Sequence, residues 1–158
     1  MCKEFLLEVK RVLFLCIGNS CRSQMAEGFA AKYGSDVMHA VSAGLAPAQI
    51  VQPLTKKVME AKNINIDHQY PKNLTAIDPA TFDIIVNLSG RKLPESSTID
   101  VRNWRVEDPI GKEEEVYIAV RDQIEMQVMH LILELRRNAN PPQPAKPSKR
   151  SLAIPDKD

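Results

Sequence analysis

The feature that most narrows the fold is the apolar run Val12-Leu13-Phe14-Leu15, which passes straight into the polar turn Cys16-Ile17-Gly18-Asn19-Ser20-Cys21-Arg22-Ser23. After the turn, Met25, Ala26, Phe29, Ala30 and Tyr33 recur at three- and four-residue spacing. An apolar run without alternation suits a parallel strand covered on both faces. The spacing that follows suits a helix, with Gly34 as its C-terminal stop. Strand, tight loop and helix in direct succession open an α/β unit, so the chain is expected to build a sheet with helices packed on it.

The same alternation continues downstream. It predicts a second strand over 37–41, a helix over 53–61 with Pro53 in its first turn, and a third strand over 82–88 after the turn at Asp78-Pro79. A weaker fourth strand is expected over 99–104. The last helix is expected over 113–137, because Tyr117, Val120, Ile124, Val128, Leu131 and Leu135 keep one face apolar. Glu113 to Glu115 suit its N-terminus and Arg136 and Arg137 its C-terminus.

At 158 residues, the chain reads as one domain, residues 1–138, with a tail over 139–158. Five of the eleven prolines fall between Pro141 and Pro155 among lysines and small polar residues, a composition expected to stay disordered. The net charge of +1 gives no footprint for nucleic acid or an anionic membrane, so neither is expected as a partner and any bound anion must be held locally. No apolar run approaches a bilayer span, and Met1-Cys2-Lys3-Glu4 lacks a signal-peptide pattern, which makes the cytoplasm the expected compartment. Three cysteines without paired spacing suit free thiols in a reducing compartment.

The loop carries the chemistry. Ligands of open α/β sheets bind beyond the carboxyl ends of strands, where a helix N-terminus offers unpaired amides and a positive dipole end to an anion. Gly18 suits a sharp bend there, and Asn19 tolerates left-handed geometry, so the amides of Ile17, Gly18, Asn19, Ser20, Cys21 and Arg22 can form an anion-binding nest. A thiol at the mouth of that nest, beside the Arg22 guanidinium, is favoured as thiolate, which makes Cys16 the candidate nucleophile. Arg22 brings a planar fork that can hold two oxygens of a tetrahedral anion.

With Cys-x5-Arg-Ser after the first strand come Met25-Ala26-Glu27, Ser42-Ala43-Gly44 after the second strand, and Trp104-Arg105-Val106-Glu107-Asp108-Pro109. In these features the chain resembles the low-molecular-weight protein tyrosine phosphatase family, including its arsenate reductase branch, over roughly residues 10–137. The resemblance implies a three-layer α/β fold, a four-stranded parallel sheet with helices on both faces and a phosphate-binding loop after the first strand. It also implies that Cys16 is the nucleophile, Arg22 the transition-state clamp and Asp108 the general acid. Ser23 would donate to the thiolate, and Asn19 and Ser42 would brace the loop. No metal or cofactor is implied.

Two departures stand out. Phosphotyrosine-specific members carry aromatic residues after Asp-Pro and in the loop after the second strand, whereas Ile110-Gly111 and residues 45–52 have none. Thioredoxin-coupled reductases carry two more cysteines just after the third strand, whereas Leu88-Ser89-Gly90-Arg91-Lys92-Leu93-Pro94 has none. The expected activity is hydrolysis of a phosphomonoester, a phosphorylated protein or a small ester, through a cysteinyl-phosphate. The alternative is reduction of arsenate with an external thiol donor through a cysteinyl-arsenate. A non-catalytic oxyanion or phosphopeptide sensor comes third.

The remaining residues read more plainly. Cys21 is expected to be structural, with a protective disulfide to Cys16 as its oxidised state. Cys2 is read as an exposed terminal residue without a role. His39, His68 and His130 share no metal-site spacing. Trp104 is read as a packing residue, and Arg91 and Lys92 as a solvated face.

Overall fold

In the computed structural model, which describes residues 8–95 and 98–139, the apolar run lies within β1 (Lys10–Cys16), buried from Val12 to Cys16. The expected helix follows as α1 (Arg22–Tyr33). The second strand, β2 (Met38–Gly44), outruns its expected end at 41, because its parallel pairing with β1 is unbroken from Lys10↔Met38 to Cys16↔Gly44. Ser42-Ala43-Gly44 is therefore the end of that strand rather than the loop after it. α2 (Pro53–Glu60) comes next, then the short β3 (Ile84–Asn87) and β4 (Asp100–Asn103) and the long α3 (Glu114–Ala139).

All pairings are parallel and the strand order is β2-β1-β3-β4. One face of β1 sends Val12, Phe14 and Cys16 into a core shared with Met25 and Phe29 of α1, Met59 of α2 and the apolar face of α3. All six α3 residues expected on that face are buried. The other face sends Leu13 and Leu15 toward Ala43, Phe82 and Ile85. It is covered by Leu74 and Ile77, set around two 3-10 turns, Leu74–Ala76 and Pro79–Thr81. Helical elements thus lie on both faces, the three α-helices on one and the 3-10 turns on the other. Each fully buried Phe or Leu in these cores contributes about 1.5–3 kcal/mol over an exposed one.

Gly34 ends α1 for a reason other than the left-handed stop its sequence position suggests. Its φ is −132°, and a Cβ there would lie 2.6 Å from Ile132 Cγ1 of α3, so the glycine is required by close packing. The α1–β2 turn is tied down again by Arg136, which donates to both Asp36 carboxylate oxygens at 2.9 Å and to the Tyr33 carbonyl at 2.8 Å. No described helix is long and apolar enough to cross a membrane. Of the tail expected from 139, only Ala139 falls among the described residues, and it closes α3; Cys2 also lies outside them.

Candidate active site

The strand order places the reversal of the sheet at β1, which has β2 on one side and β3 on the other. The crevice beyond the carboxyl ends of β1 and β3 is the site such sheets offer to ligands. The loop from Cys16 to Arg22 stands there, and its carbonyls are all engaged by the scaffold. Cys16 O accepts from Leu45 N at 3.1 Å, Ile17 O from Ala46 N at 2.8 Å and Gly18 O from Ala48 N at 2.8 Å. Asn19 O accepts from Gln24 Nε2 at 2.8 Å, Ser20 O from Gln52 N and Thr55 Oγ1 at 3.1 Å each, and Cys21 O from Met25 N at 2.9 Å.

The amides behave differently. The Asn19 amide donates to Cys16 Sγ at 3.2 Å, and those of Gly18, Ser20, Cys21 and Arg22 meet no acceptor among the described residues. Buried backbone donors are seldom left unpaired, so a run of free amides beside a thiol at a helix N-terminus is a cradle for an oxyanion. The left-handed residue that turns the loop is Asn19, at φ 49°; Gly18 keeps an ordinary φ.

Cys16 is 3% exposed, and its Sγ lies 2.8 Å from Ser23 Oγ in the first turn of α1. Ser23 Oγ also accepts from Asn19 Nδ2 at 2.8 Å, which leaves the hydroxyl proton free for the sulfur. The Asn19 amide group is oriented from its other end, where Oδ1 accepts from Lys72 N at 2.9 Å. The structure thus brings together Cys16, Asn19 and Ser23 as the sequence led one to expect.

Arg22 is 5% exposed and anchored through Nη1, which donates to Leu88 O at 2.7 Å and Val106 O at 3.2 Å. Its Nη2 stands 3.5 Å from Asp108 Oδ2. Two chain segments that follow β3 and β4 therefore fix the guanidinium, and the Asp108 carboxylate lies beside it. Asp108 Oδ1 accepts from the Ile110 amide at 3.1 Å, and the side chain is 43% exposed, as a group at a mouth must be.

Ser42 departs from its expected role. Its buried hydroxyl makes no hydrogen bond to the loop among the described residues, while its amide donates to Glu27 Oε1 and its carbonyl accepts from Lys72 Nζ, each at 2.9 Å. The bracing falls instead to residues that the sequence did not single out: Lys72 through its backbone, and Gln24 held by Gln69 Nε2 at 2.8 Å. Gly44 matters more than its neighbour, since a Cβ there would lie 2.7 Å from Ile17 O and 2.9 Å from Asn19 Cβ. Gly44→Ala is expected to lower stability by about 1–3 kcal/mol in chemical denaturation and to weaken phosphate binding with it, because the clash falls on loop backbone. Unchanged binding in that variant would show that the loop tolerates displacement.

Cys21 points away from the cradle, with Sγ 3.9 Å from Tyr117 OH; burial pushes its thiol above the usual range. Burial also pushes the Tyr117 phenol up to about 12, followed by the charges of Cys21 and Asp108. Trp104 packs on Phe14 with ring centroids 6.1 Å apart. His39, His68 and His130 are exposed, and no three His, Cys, Asp or Glu among the described residues converge as a metal site would need.

Residues 11–141 match the family model described as low molecular weight phosphotyrosine protein phosphatase. The chain is 35% identical over 131 residues to a glutaredoxin arsenate reductase of Synechocystis sp., covering 80% of this chain and 99% of that protein. It is 39% identical over 119 residues to an arsenate reductase of Bacillus cereus, covering 73% and 88%. A solved arsenate reductase in a phosphate-binding state superposes with a TM-score of 0.74 at 33% identity, covering 80% of this chain and 99% of that one. An arginine phosphatase from Geobacillus stearothermophilus, at 20% identity and a TM-score of 0.67, shares the fold.

Proposed function

The chain belongs to the low-molecular-weight phosphotyrosine protein phosphatase family, and we propose that within it the chain reduces arsenate to arsenite with electrons from an external thiol. The observation that carries this reading is the loop itself, with every carbonyl from Cys16 to Cys21 engaged, the Asn19 amide on Cys16 Sγ, and the amides of Gly18, Ser20, Cys21 and Arg22 without an acceptor among the described residues. Such a cradle takes a bare tetrahedral oxyanion, and arsenate is close to phosphate in shape and charge. Hydrolysis of a phosphomonoester came first on sequence grounds; the arsenate reductases among the relatives favour the alternative. Residues 45–52 and 110–111 lack the aromatic residues that phosphotyrosine-specific members carry in those segments, which weighs against a phosphotyrosine substrate.

In this reading, the Cys16 thiolate attacks arsenic, and one arsenate oxygen leaves as water after taking a proton from Asp108. Arg22 and the amides hold the remaining oxygens, and Ser23 releases the sulfur as thiolate when the cycle closes. An external thiolate then attacks Cys16 Sγ. The S–As bond breaks with its electron pair staying on arsenic, which departs as arsenite, and a mixed disulfide remains. A second thiolate attacks the external sulfur of that disulfide and frees Cys16. Two thiols become one disulfide as arsenic gains two electrons.

The donor is external because the described residues offer no exposed thiol beside Cys16. Residues 88–94 contain no cysteine, and the Ser89 hydroxyl there donates to Asn87 Oδ1 at 2.6 Å. Cys21 is 2% exposed, and burial holds it as the neutral thiol, the unreactive form. Cys21→Ser is therefore expected to keep thiol-dependent reduction within about threefold of the parent protein, read as arsenite formed. A collapse of turnover, with a Cys16–Cys21 disulfide found after one turnover of the parent protein, would instead make Cys21 the internal reductant.

The deciding experiment is paired. Arsenite formation is measured with glutathione, mycothiol or thioredoxin as donor, and hydrolysis of an aryl phosphate is measured on the same protein. Thiol-dependent arsenite supports the reading. Efficient hydrolysis without arsenite overturns it in favour of the phosphatase, and oxyanion binding without either reaction favours a sensor.

A further inference from the structure

Almost every cation of the described chain has a protein partner. Each lysine or arginine meets a carboxylate, a carbonyl or an aromatic ring, except Arg91, Lys92, Arg105 and Arg137. Three of those four line one cavity of about 320 Å3, walled by the turn after β3 and the segment after β4, with Trp104 as its aromatic side. A pair of like charges repels, and in a chain of net charge +1 nothing general gathers three of them. Three unpaired cations around one concavity are a subsite for an anion.

The position says which anion. Its lining residues Asn87 and Arg105 are the chain neighbours of Leu88 and Val106, whose carbonyls hold Arg22, so the cavity lies at the same end of the sheet as the cradle and shares no residue with it. The volume falls at the small end of ordinary ligand pockets, about 300 Å3 and up, which suits a small molecule. We propose that this cavity seats the carboxylates of a low-molecular-weight thiol, the electron donor of the reduction. The proposal rests on the arsenate-reduction reading above. The Cys16 adduct carries negative charge, and an anionic thiol approaching it is repelled unless its carboxylates are neutralised nearby. Arg91 and Arg105 supply forks that match carboxylates. Lys92 is shared with the adjoining cavity that Glu95 lines, so the two arginines are the pair to test. Arg91 and Lys92 are exposed, as the sequence reading of a solvated face expects; the proposal adds that Arg105 lines the same cavity beside them.

The test uses S-methylglutathione, whose blocked sulfur cannot react, titrated into the isotope-labelled chain. Expected are amide shifts at Gly90, Arg91, Asn103 and Arg105, and binding about tenfold weaker in R91Q/R105Q, the scale of two exposed charge contacts. The esterified ligand should bind parent and variant alike. In the arsenite assay the variant should raise KM for glutathione by a similar factor, while its rate with uncharged dithiothreitol is kept. Shifts confined to residues 17–22, equal affinity of parent and variant, or turnover with thioredoxin while S-methylglutathione fails to bind would each overturn the subsite. Absence of arsenite with every donor would overturn the reduction reading instead; the titration answers for the cavity in either case.

Discussion

Cys16→Ser is expected to leave no measurable arsenite formation and no hydrolysis of an aryl phosphate, with the fold and phosphate binding retained. A serine hydroxyl in the same cradle stays protonated at neutral pH and attacks poorly, whereas the thiolate is met there by the Asn19 amide at 3.2 Å and the Ser23 hydroxyl at 2.8 Å. The Ser23 hydroxyl is oriented by the Asn19 side chain, whose Oδ1 is held in turn by Lys72 N, so the loss falls on attack rather than on structure. The variant differs from the parent by one buried atom, and its circular dichroism and melting curve should overlay. The check is single-turnover chemistry: acid quench of the parent protein traps arsenic or phosphorus on Cys16, and the serine variant traps none. Residual turnover close to the parent value would move the nucleophile away from Cys16 and, with it, the whole assignment of the cradle.

Much of this site was legible because its parts are contiguous. The run from Val12 to Leu15, the turn to Arg22 and the periodic residues of α1 lie within one stretch, and each follows from local rules of burial and helix initiation. The apolar face of α3 is equally local. What escaped is what tertiary contact decides. Lys72 braces Asn19 from 53 residues away and Gln69 braces Gln24 from 45, and no spacing rule connects such pairs. The length of β2 depended on its partner β1. Ser42 carried a family role that its hydroxyl does not fill, while the adjacent requirement, a glycine at 44 so that loop and strand can touch, is visible only once both are placed. The 3-10 turn at Pro79–Thr81 had a signal in Asp78-Pro79, whose carboxylate accepts from Ala80 N at 3.0 Å, but such a cap marks a turn without giving its helical character.

Asp108→Asn is expected to separate the two chemistries this family fold supports. The carboxylate stands 3.5 Å from Arg22 Nη2 at the mouth of the cradle, close to where a leaving oxygen must emerge. In hydrolysis the group serves twice, protonating the leaving oxygen and then activating water on the cysteinyl intermediate. In reduction it serves once, since an external thiolate rather than water resolves the intermediate. Hydrolysis of a monoester with a poor leaving group should therefore fall about a hundredfold or more, the scale of a positioned general acid, while thiol-dependent arsenite formation falls by a smaller factor. A very good leaving group needs little proton donation, so its hydrolysis should suffer least in the first step. Phosphate binding should survive, because the amides and the Arg22 anchors at Leu88 and Val106 do not involve this carboxylate. Asparagine keeps an oxygen for the Ile110 amide, which preserves the turn. If every leaving group loses equally and phosphate binding weakens as well, Asp108 acts by holding Arg22 in place, and the proton must come from another donor at the mouth.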